Sequence, residues 1–373
     1  YNSSTAYSQN HGTPMSSELR EIRINPIVPS ESVLVATARG NRPKKAEELA
    51  PRDSRPHVAT CPFCRGNEDK TPPAIQSLPE DENWDIRIVE NLYPVLGDDR
   101  EQPDLNIGLQ QTIDGYGRHE VIIDNSSHGI AMHEMTISHI TLLFKTYRER
   151  MQALYESDDR LRYVLAFKNF GPAAGASIPH THSQMIALPV VPDNVQAEVD
   201  HSHNYYEKHH NCVFCSLIDE ALTFETRIYD RESGEVKRKI DVGQYVIERG
   251  KRFIAIKPFA SRYEWEIHIL PLTHQADFKD ATDEDLEDFA LVLQRTMARL
   301  DAVLGGVQYN YFLHSIPHDR RFADNTPSYH WHLEITPRTS IPTGFELGSG
   351  LFVNTISPEA AAEQLRNVDL AEE

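Results

Sequence analysis

The chain contains one arrangement of cysteines and histidines twice, at an interval of about 150 residues. Cys64 and Cys215 are 151 residues apart. His180 and His330 are 150 residues apart. An interval of this length is an ordinary domain size, and several matches in one register point to duplication of a single unit.

A helical pattern repeats together with these residues. Between Ile140 and Leu154 apolar residues follow the i, i+3, i+4, i+7 spacing of an amphipathic helix. The same spacing recurs 146 residues later, between Leu286 and Leu300, after a suitable N-terminal cap at Thr282. Strand-like runs flank both helices, at residues 119–124, 163–167, 265–270 and 309–313. The sequence therefore predicts an α+β fold built from two copies of one unit.

The repeat and the composition divide the chain into four segments. Residues 1–18 are polar, and we expect them to form a disordered N-terminal tail. Residues 19–195 form the first half, which we expect to be catalytic, and residues 196–345 form a degenerate second half. Residues 346–373 form a C-terminal tail with a short helix, because Ser357-Pro-Glu359 has the sequence of a helix start.

The overall charge limits the possible partners and compartments. Lys and Arg number 37 against 56 Asp and Glu, which gives a net charge of −19. A chain this acidic is not expected to bind nucleic acid. Because the sequence has no apolar run of membrane length and no signal-peptide pattern, we expect a soluble cytoplasmic protein that does not bind membranes.

The four cysteines form two pairs, Cys61-Pro-Phe-Cys64 and Cys212-Val-Phe-Cys215. In a reducing compartment such a pair is half of a zinc site or a redox couple. The redox interpretation requires a strand, the pair and then a helix, whereas we expect loop residues after each pair. This spacing therefore favours zinc, which needs two more ligands at each site.

The repeat supplies those two ligands, one histidine before the helix and one in the final strand of each half. We predict two structural Cys₂His₂ zinc sites with no open position, formed by Cys61, Cys64, His128 and His180 and by Cys212, Cys215, His274 and His330. The alternative for His128 and His274 is an ordinary core or surface histidine. Their common register with both cysteine pairs favours ligation.

The stretch His180-Thr-His182-Ser-Gln184 carries the chemistry. On a strand, residues two apart point to the same face. Small residues at positions 171–177 allow a phosphate to approach the backbone, so His182 is a candidate nucleophile toward phosphorus. The alternative is a strand histidine satisfied in the core. The second half has His332 and Glu334 at the equivalent places, and an acid there would repel phosphate.

These motifs together resemble the galactose-1-phosphate uridylyltransferase family of the histidine triad superfamily. The resemblance runs from about Arg39 to Glu346, and the second cysteine pair points to the ADP-glucose phosphorylase-like subgroup. It implies two antiparallel half-barrel sheets with packed helices. It also implies a homodimer, as in the dimeric members. It also implies a nucleotidyl intermediate on His182. The implied substrates are a nucleotide sugar and a sugar 1-phosphate or inorganic phosphate.

The resemblance also assigns residues to the substrates. Gln184 would bind the transferred phosphoryl group, and Arg39 and Arg42 would bind the substrate phosphate, in dimeric members across the subunit boundary. Further implied substrate-binding residues are Asn91, Asn169, Gly175, Ser177 and Glu346.

Two departures from the family pattern concern the substrate and the second metal. Uridylyltransferases read Pro-His-Pro-His-Gly-Gln where this chain reads Pro-His-Thr-His-Ser-Gln, and Ser340 replaces a lysine. The second metal of uridylyltransferases uses neighbouring histidines, so a site built from His314, His330 and His332 is an alternative to the cysteine site. Three functions follow as hypotheses: a transferase between sugar 1-phosphates, an ADP-sugar phosphorylase using inorganic phosphate, and a non-catalytic zinc-stapled nucleotide-binding module.

Overall fold

The computed structural model describes residues 19–41, 52–97 and 104–370. The predicted tail at residues 1–18 and the predicted phosphate ligand Arg42 lie outside these ranges. Within them, no helix is both long and apolar enough to cross a membrane.

The strands and helices follow one another in mixed order along the chain. The strands are β1 (Arg20–Arg23), β2 (Val33–Ala36), β3 (Ala74–Leu78), β4 (Ile86–Glu90), β5 (Leu105–Ile107), β6 (Gln110–Thr112), β7 (Arg118–Ile123), β8 (Tyr163–Phe170), β9 (His182–Leu188), β10 (Glu225–Tyr229), β11 (Val236–Asp241), β12 (Val246–Arg249), β13 (Phe253–Ile256), β14 (Ile267–Pro271), β15 (Tyr309–His314), β16 (His332–Pro337) and β17 (Phe352–Asn354). The helices are α1 (Ile137–Ser157), α2 (Asp193–His209), α3 (Val213–Thr223), α4 (Asp283–Leu304), α5 (Gly344–Ser349) and α6 (Pro358–Arg366).

Ten strands form one antiparallel sheet at the centre of the fold. Their order is β12-β13-β14-β16-β15-β8-β9-β7-β4-β3, so each half contributes five strands in the same order outward from the middle. The halves meet where β8 pairs with β15 and Phe167 lies opposite Phe312. The predicted α+β fold with antiparallel half-barrels is confirmed, and the two half-barrels are joined edge to edge.

Helices α1 and α4 cover one face of this sheet. Thr136 caps α1 by accepting a hydrogen bond from a backbone amide, and Thr282 caps α4 within a capping box. The buried stripes of the two helices meet at Phe144 and Phe289, whose ring centroids are 4.7 Å apart. One apolar core therefore extends across both halves.

The opposite face of the sheet carries the polar residues of interest. Met185 on β9 and Leu333 on β16 point into the core beneath the helices. Since side chains alternate along a strand, His182 and His332 at the starts of these strands point to the other face. The fold thus places the two related histidines on the same side of one sheet.

The region around the second cysteine pair corrects one expectation. A loop was expected after Cys215, but Cys212 is the N-cap of α3 and Cys215 lies in its first turn. The reason is an apolar helical face, which includes Phe214 and Ile218 and packs into a second buried cluster. Helix α2, rather than a strand, precedes this pair, so the redox arrangement is still not formed.

Two peripheral elements complete the described fold. The charged stretch after α3 forms the exposed hairpin β10–β11. A small sheet pairs β2 with β1 and, in parallel, with β17 near the C-terminus.

The shared core makes a test of the two-half packing possible. Phe144→Ala should lower the free energy of unfolding by about 3–5 kcal/mol, because it leaves a cavity where α1 meets α4. Tyr229→Ala, on the exposed hairpin, is the control and should change it by less than about 0.5 kcal/mol. Urea denaturation followed by circular dichroism measures both, and equal effects would contradict the shared core.

Candidate active site and metal centres

His182 is held in the orientation that a nucleophile needs. Its Nδ1 lies 2.7 Å from the backbone oxygen of His180 and donates a hydrogen bond to it. The other ring nitrogen, Nε2, is then the one that carries a lone pair. Burial lowers the pKa of His182 below its usual range, so the imidazole is neutral near pH 7.

Gln184 is oriented by a histidine that the sequence analysis did not single out. The backbone amide of Val95 donates to Nδ1 of His119, so Nε2 of His119 carries the proton. That Nε2 donates to the Gln184 side-chain oxygen at 2.8 Å. The Asn91 amide nitrogen lies 3.1 Å from the same Nε2. The bond to His119 uses the oxygen of the Gln184 amide and leaves its NH₂ group as a donor for a phosphoryl oxygen.

The loop of small residues is anchored by the second half of the chain. Asn169, on β8, accepts a hydrogen bond of 2.7 Å from Asn310 on β15. Gly171 has a φ of 88°, and a Cβ there would come within 2.5 Å of Gln308, so only glycine fits. Gly175 and Ser177 lie farther along this loop and are exposed. Asn169 thus lies at the end of β8, and Gly175 and Ser177 lie on the loop that follows it, which Gln308 of the second half contacts through the Ala173 amide.

The first cysteine pair and its two predicted histidines come together in a buried cluster. Cys64 Sγ lies 3.4 Å from His128 Nδ1 and 3.5 Å from His180 Nδ1. Cys61 Sγ lies 3.7 Å from His180 Nδ1. Zinc–ligand bonds of about 2.3 Å to sulphur and 2.0–2.1 Å to nitrogen in a tetrahedron separate S and N by roughly 3.5 Å. The donor set and its spacing therefore fit zinc.

The second predicted set also comes together. Cys215 Sγ lies 3.4 Å from His274 Nδ1 and 3.7 Å from His330 Nδ1, and Cys212 completes the group. This cluster is more open than the first, because His274 is exposed whereas all four members of the first cluster are buried. His330 therefore lies beside the cysteine pair, and its Nδ1 faces Cys215.

In three of the four cluster histidines the other ring nitrogen is held by the backbone, as is usual around metal-binding histidines, whereas Nε2 of His128 lies 3.4 Å from Asp53 Oδ2. Nε2 of His180 donates to the Asn125 oxygen at 2.8 Å. Nε2 of His330 donates to the Pro271 oxygen at 2.8 Å, and that of His274 to the Thr326 oxygen at 3.0 Å. Burial lowers the pKa of His180 to about 4, which keeps this imidazole neutral, the form that binds metal.

The second half contains a third cluster around His332. Its Nε2 is buried without a hydrogen-bond partner, 3.3 Å from Glu198 Oε1 and 3.5 Å from Glu334 Oε1. His314 Nδ1 lies 3.0 Å from Glu198 Oε2. Burial alone would lower the pKa of His332, but the two carboxylates raise it to about 10. Without a metal this histidine is protonated and cannot act as a nucleophile.

Glu198 was missed in the sequence analysis. It lies on α2 between Val195 and Val199, which are buried with it on one stripe of the helix. The sequence signal that could have identified Glu198 is an acidic residue at a position where the helical spacing predicts an apolar one. The polar composition of this segment concealed that spacing.

Arg39 and Glu346 lie together but not beside the nucleophile. They line a cavity of about 270 Å³ with Ser340 and Thr343, and this lining includes neither His182 nor Gln184. Within one chain, two of the predicted substrate-binding residues, Arg39 and Glu346, therefore line a cavity to which the predicted nucleophile His182 does not contribute.

Comparison with known proteins agrees with this arrangement. Residues 12–192 match the family model described as galactose-1-phosphate uridyl transferase, N-terminal domain. ADP-glucose phosphorylase from Arabidopsis thaliana is 32% identical over 364 residues, with 96% of each chain covered. Galactose-1-phosphate uridylyltransferase from Thermotoga maritima is 27% identical over 361 residues, which cover 94% of this chain and 99% of the relative.

Solved structures show the same likeness. That of the Arabidopsis thaliana ADP-glucose phosphorylase with bound ADP-glucose has a TM-score of 0.77 and 30% identity, covering 94% of this chain and 100% of the other. A uridylyltransferase structure has a TM-score of 0.68 and 25% identity, covering 93% of this chain and 97% of the other. The chain therefore belongs to the galactose-1-phosphate uridylyltransferase family and is a nucleotidyltransferase of that family.

Proposed function

We propose that this protein moves a nucleoside monophosphate between sugar 1-phosphates through a covalent nucleotidyl intermediate on His182. The observation that carries the proposal is the hydrogen bond from His182 Nδ1 to the His180 oxygen, which leaves Nε2 with its lone pair. Nε2 attacks the α-phosphorus of a nucleotide sugar, and the bond from that phosphorus to the sugar 1-phosphate breaks. A second sugar 1-phosphate then attacks the same phosphorus and frees the histidine.

Gln184 supports both steps by donating its amide hydrogens to the transferred phosphoryl group. Charge on that group grows and shifts during an in-line displacement, so a donor fixed beforehand stabilises the transition state. His119 fixes this donor through the amide oxygen. Asn91, Asn169, Gly175 and Ser177 are the residues that we propose line the nucleotide.

A second candidate is an ADP-sugar phosphorylase, in which inorganic phosphate is the acceptor and a nucleoside diphosphate is released. The relative named ADP-glucose phosphorylase is the more similar of the two relatives described above, 32% identical against 27%. The cysteine pair in the second half, Cys212 and Cys215, also favours this subgroup. Both candidates use His182 in the same way and differ only in the acceptor.

We infer that the protein acts as a homodimer with a composite site. Arg39 and Glu346 line a cavity whose lining does not include His182, and this supports a site shared between subunits. A second subunit that presents this cavity to His182 would complete the substrate site.

We also propose that zinc fills both Cys₂His₂ clusters. Cys61, Cys64, His128 and His180 would hold one ion and Cys212, Cys215, His274 and His330 the other. With four protein ligands each, these ions would stabilise the fold and leave no open position for substrate. The thiols are free in the structure, which fits the reducing cytoplasm as the proposed location.

The zinc content is the first test. The purified protein should carry about two zinc ions per chain, measured by elemental analysis. Cys64→Ser should remove one ion and lower stability and activity together, because His180 is both a ligand and the acceptor for His182. Cys215→Ser should also remove one ion but reduce activity less. Active, folded protein without zinc would refute the metal assignment.

The roles of the two halves can be separated by a pair of matched substitutions. His182→Ala should lower kcat by about 10⁴-fold or more while zinc content and fold remain normal, because the nucleophile is lost. His332→Ala should have a far smaller effect on kcat per folded molecule, since His332 faces carboxylates rather than a phosphate site. Equal losses of kcat would argue against catalysis by the first half alone.

Kinetic order provides a further test. A nucleophilic histidine splits the reaction in two, so double-reciprocal plots should be parallel. Labelled sugar 1-phosphate should exchange into the nucleotide sugar without a second acceptor. Comparing sugar 1-phosphate with inorganic phosphate as the acceptor separates the two candidate functions. Intersecting plots without partial exchange would mean direct transfer in a ternary complex, with His182 only binding phosphate.

A further inference from the structure

We propose that the buried ion pair between Lys168 and Asp124 positions the nucleophile by fixing the backbone on either side of His182. This inference rests on the proposed function, since it takes His182 to be the nucleophile. Neither residue of the pair was singled out by the sequence motifs. Lys168 lies near the end of β8, and Asp124 directly follows β7.

The contacts of the pair converge on three consecutive residues. Lys168 Nζ donates to an Asp124 carboxylate oxygen, to Thr181 Oγ1 at 2.8 Å and to the backbone oxygen of His182 at 3.1 Å. The other Asp124 oxygen accepts a hydrogen bond from the Ser183 hydroxyl. All three ammonium hydrogens are used, and the pair holds residues 181, 182 and 183 from behind the strand.

The hydrogen bonds of the pair are made to the strand and not to the imidazole. The Ser183 side chain points to the core face of the sheet, where α1 packs, while the His182 ring points to the opposite face. The hydrogen bond from His182 Nδ1 to the His180 oxygen spans the same short segment. The ion pair holds the backbone carbonyl of His182 and the side chains of Thr181 and Ser183. It thereby fixes the geometry of the hydrogen bond from His182 Nδ1 to the His180 oxygen. Lys168 is therefore a positioning residue.

The network continues to the second half of the chain. The Tyr147 hydroxyl on α1 donates to the Ser183 hydroxyl and lies 2.7 Å from the hydroxyl of Tyr311 on β15. Both tyrosines are fully buried. The degenerate half thus contributes to the support of the nucleophile strand without contacting the reacting atoms.

The energetics favour a positioning role over a purely stabilising one. The side chains of Lys168 and Asp124 are both 0% exposed. Burying an ion pair costs desolvation that its attraction hardly offsets, and apolar side chains of similar volume are often as stable. The neighbouring core-face positions on these strands are apolar, at Ala166 and Met185. A charged pair at this place is explained by the specific backbone contacts that it makes.

The chain offers a matched control in its second half. Lys257 is also buried and also makes three hydrogen bonds, to the Ser261 hydroxyl and to the backbone oxygens of Tyr263 and Glu266. None of these acceptors belongs to β9 or to the residues before it. Lys257→Met therefore removes a buried lysine with the same number of hydrogen bonds, none of them to a carboxylate, without touching the nucleophile strand.

The test compares Lys168→Met with Lys257→Met at matched folded fractions. Lys168→Met should lower kcat by about 10- to 100-fold, since small misplacement of a reacting group has effects of this size. KM for the nucleotide sugar should stay within about twofold, because no binding group is removed. Lys257→Met should leave kcat within about twofold. Thr181→Val removes one hydrogen-bond acceptor of Lys168 and should lower kcat several-fold. This variant replaces Lys168→Met in the test if Lys168→Met does not fold.

A second arm isolates positioning from general damage to the site. In a His182→Gly background, a nucleoside phosphoimidazolide brings its own imidazole, so there is no histidine to position. Adding Lys168→Met, or Thr181→Val if the first does not fold, should then change the rate of transfer to the acceptor by less than about twofold. A loss as large as that seen with His182 present would overturn the proposal.

The failure of this inference is distinct from failure of the proposed function. If the unmodified enzyme exchanges labelled sugar 1-phosphate but Lys168→Met and Thr181→Val retain its kcat, only the positioning role is refuted. If the unmodified enzyme shows no partial exchange, the nucleophile itself is refuted, and the positioning role with it.

Discussion

The short hydrogen bond from His182 Nδ1 to the backbone oxygen of His180 joins the two parts of the site. The residue that supplies this oxygen also turns its own ring toward Cys61 and Cys64 and is held on the other side by the Asn125 oxygen. One residue thus links the first Cys₂His₂ cluster to the orientation of His182. As a consequence, His182 is a neutral imidazole with a fixed tautomer and not simply a buried histidine.

The second half shows that the neighbouring side chains determine what a histidine at this position can do. His332 makes the same type of bond, from its Nδ1 to the His330 oxygen at 3.0 Å, on the equivalent strand of the same sheet. Glu198 and Glu334 then face its Nε2, and Glu334 stands where the first half has Gln184. The same backbone geometry therefore holds the proposed nucleophile in one half and a carboxylate-histidine cluster in the other. The two halves share their strand order, and the side chains around the histidine differ.

Much of this arrangement could be predicted from the sequence. The period of the cysteines and histidines and the helical spacing around Phe144 and Phe289 are local signals, and the structure brings both sets of four metal-ligand candidates together. What these residues bind remains a prediction. Pairings between residues far apart in the sequence could not be predicted in the same way. Asp124 and Lys168 become partners only when β7 and β8 flank β9, and neither occurs in a recognisable motif.

Two further features depended on tertiary context. The start of α3 at the second cysteine pair is set by its apolar face against the core, which a spacing argument does not include. The place of Arg39 follows from where the first strands pack, beside β17 near the C-terminus, in a cavity whose lining does not include His182. The resemblance to dimeric members implies that Arg39 acts across the subunit boundary, but no motif in the sequence predicts this packing.

The most direct test of the central claim is to identify the residue that becomes nucleotidylated. The protein would be incubated with nucleotide sugars labelled in the α-phosphate, without acceptor, then digested and analysed by mass spectrometry under basic conditions that preserve a phosphoramidate. The account predicts a label on the peptide that contains His182, lost on mild acid treatment and absent from His182→Ala. A label on His332, or turnover without any nucleotidylated peptide, would contradict it.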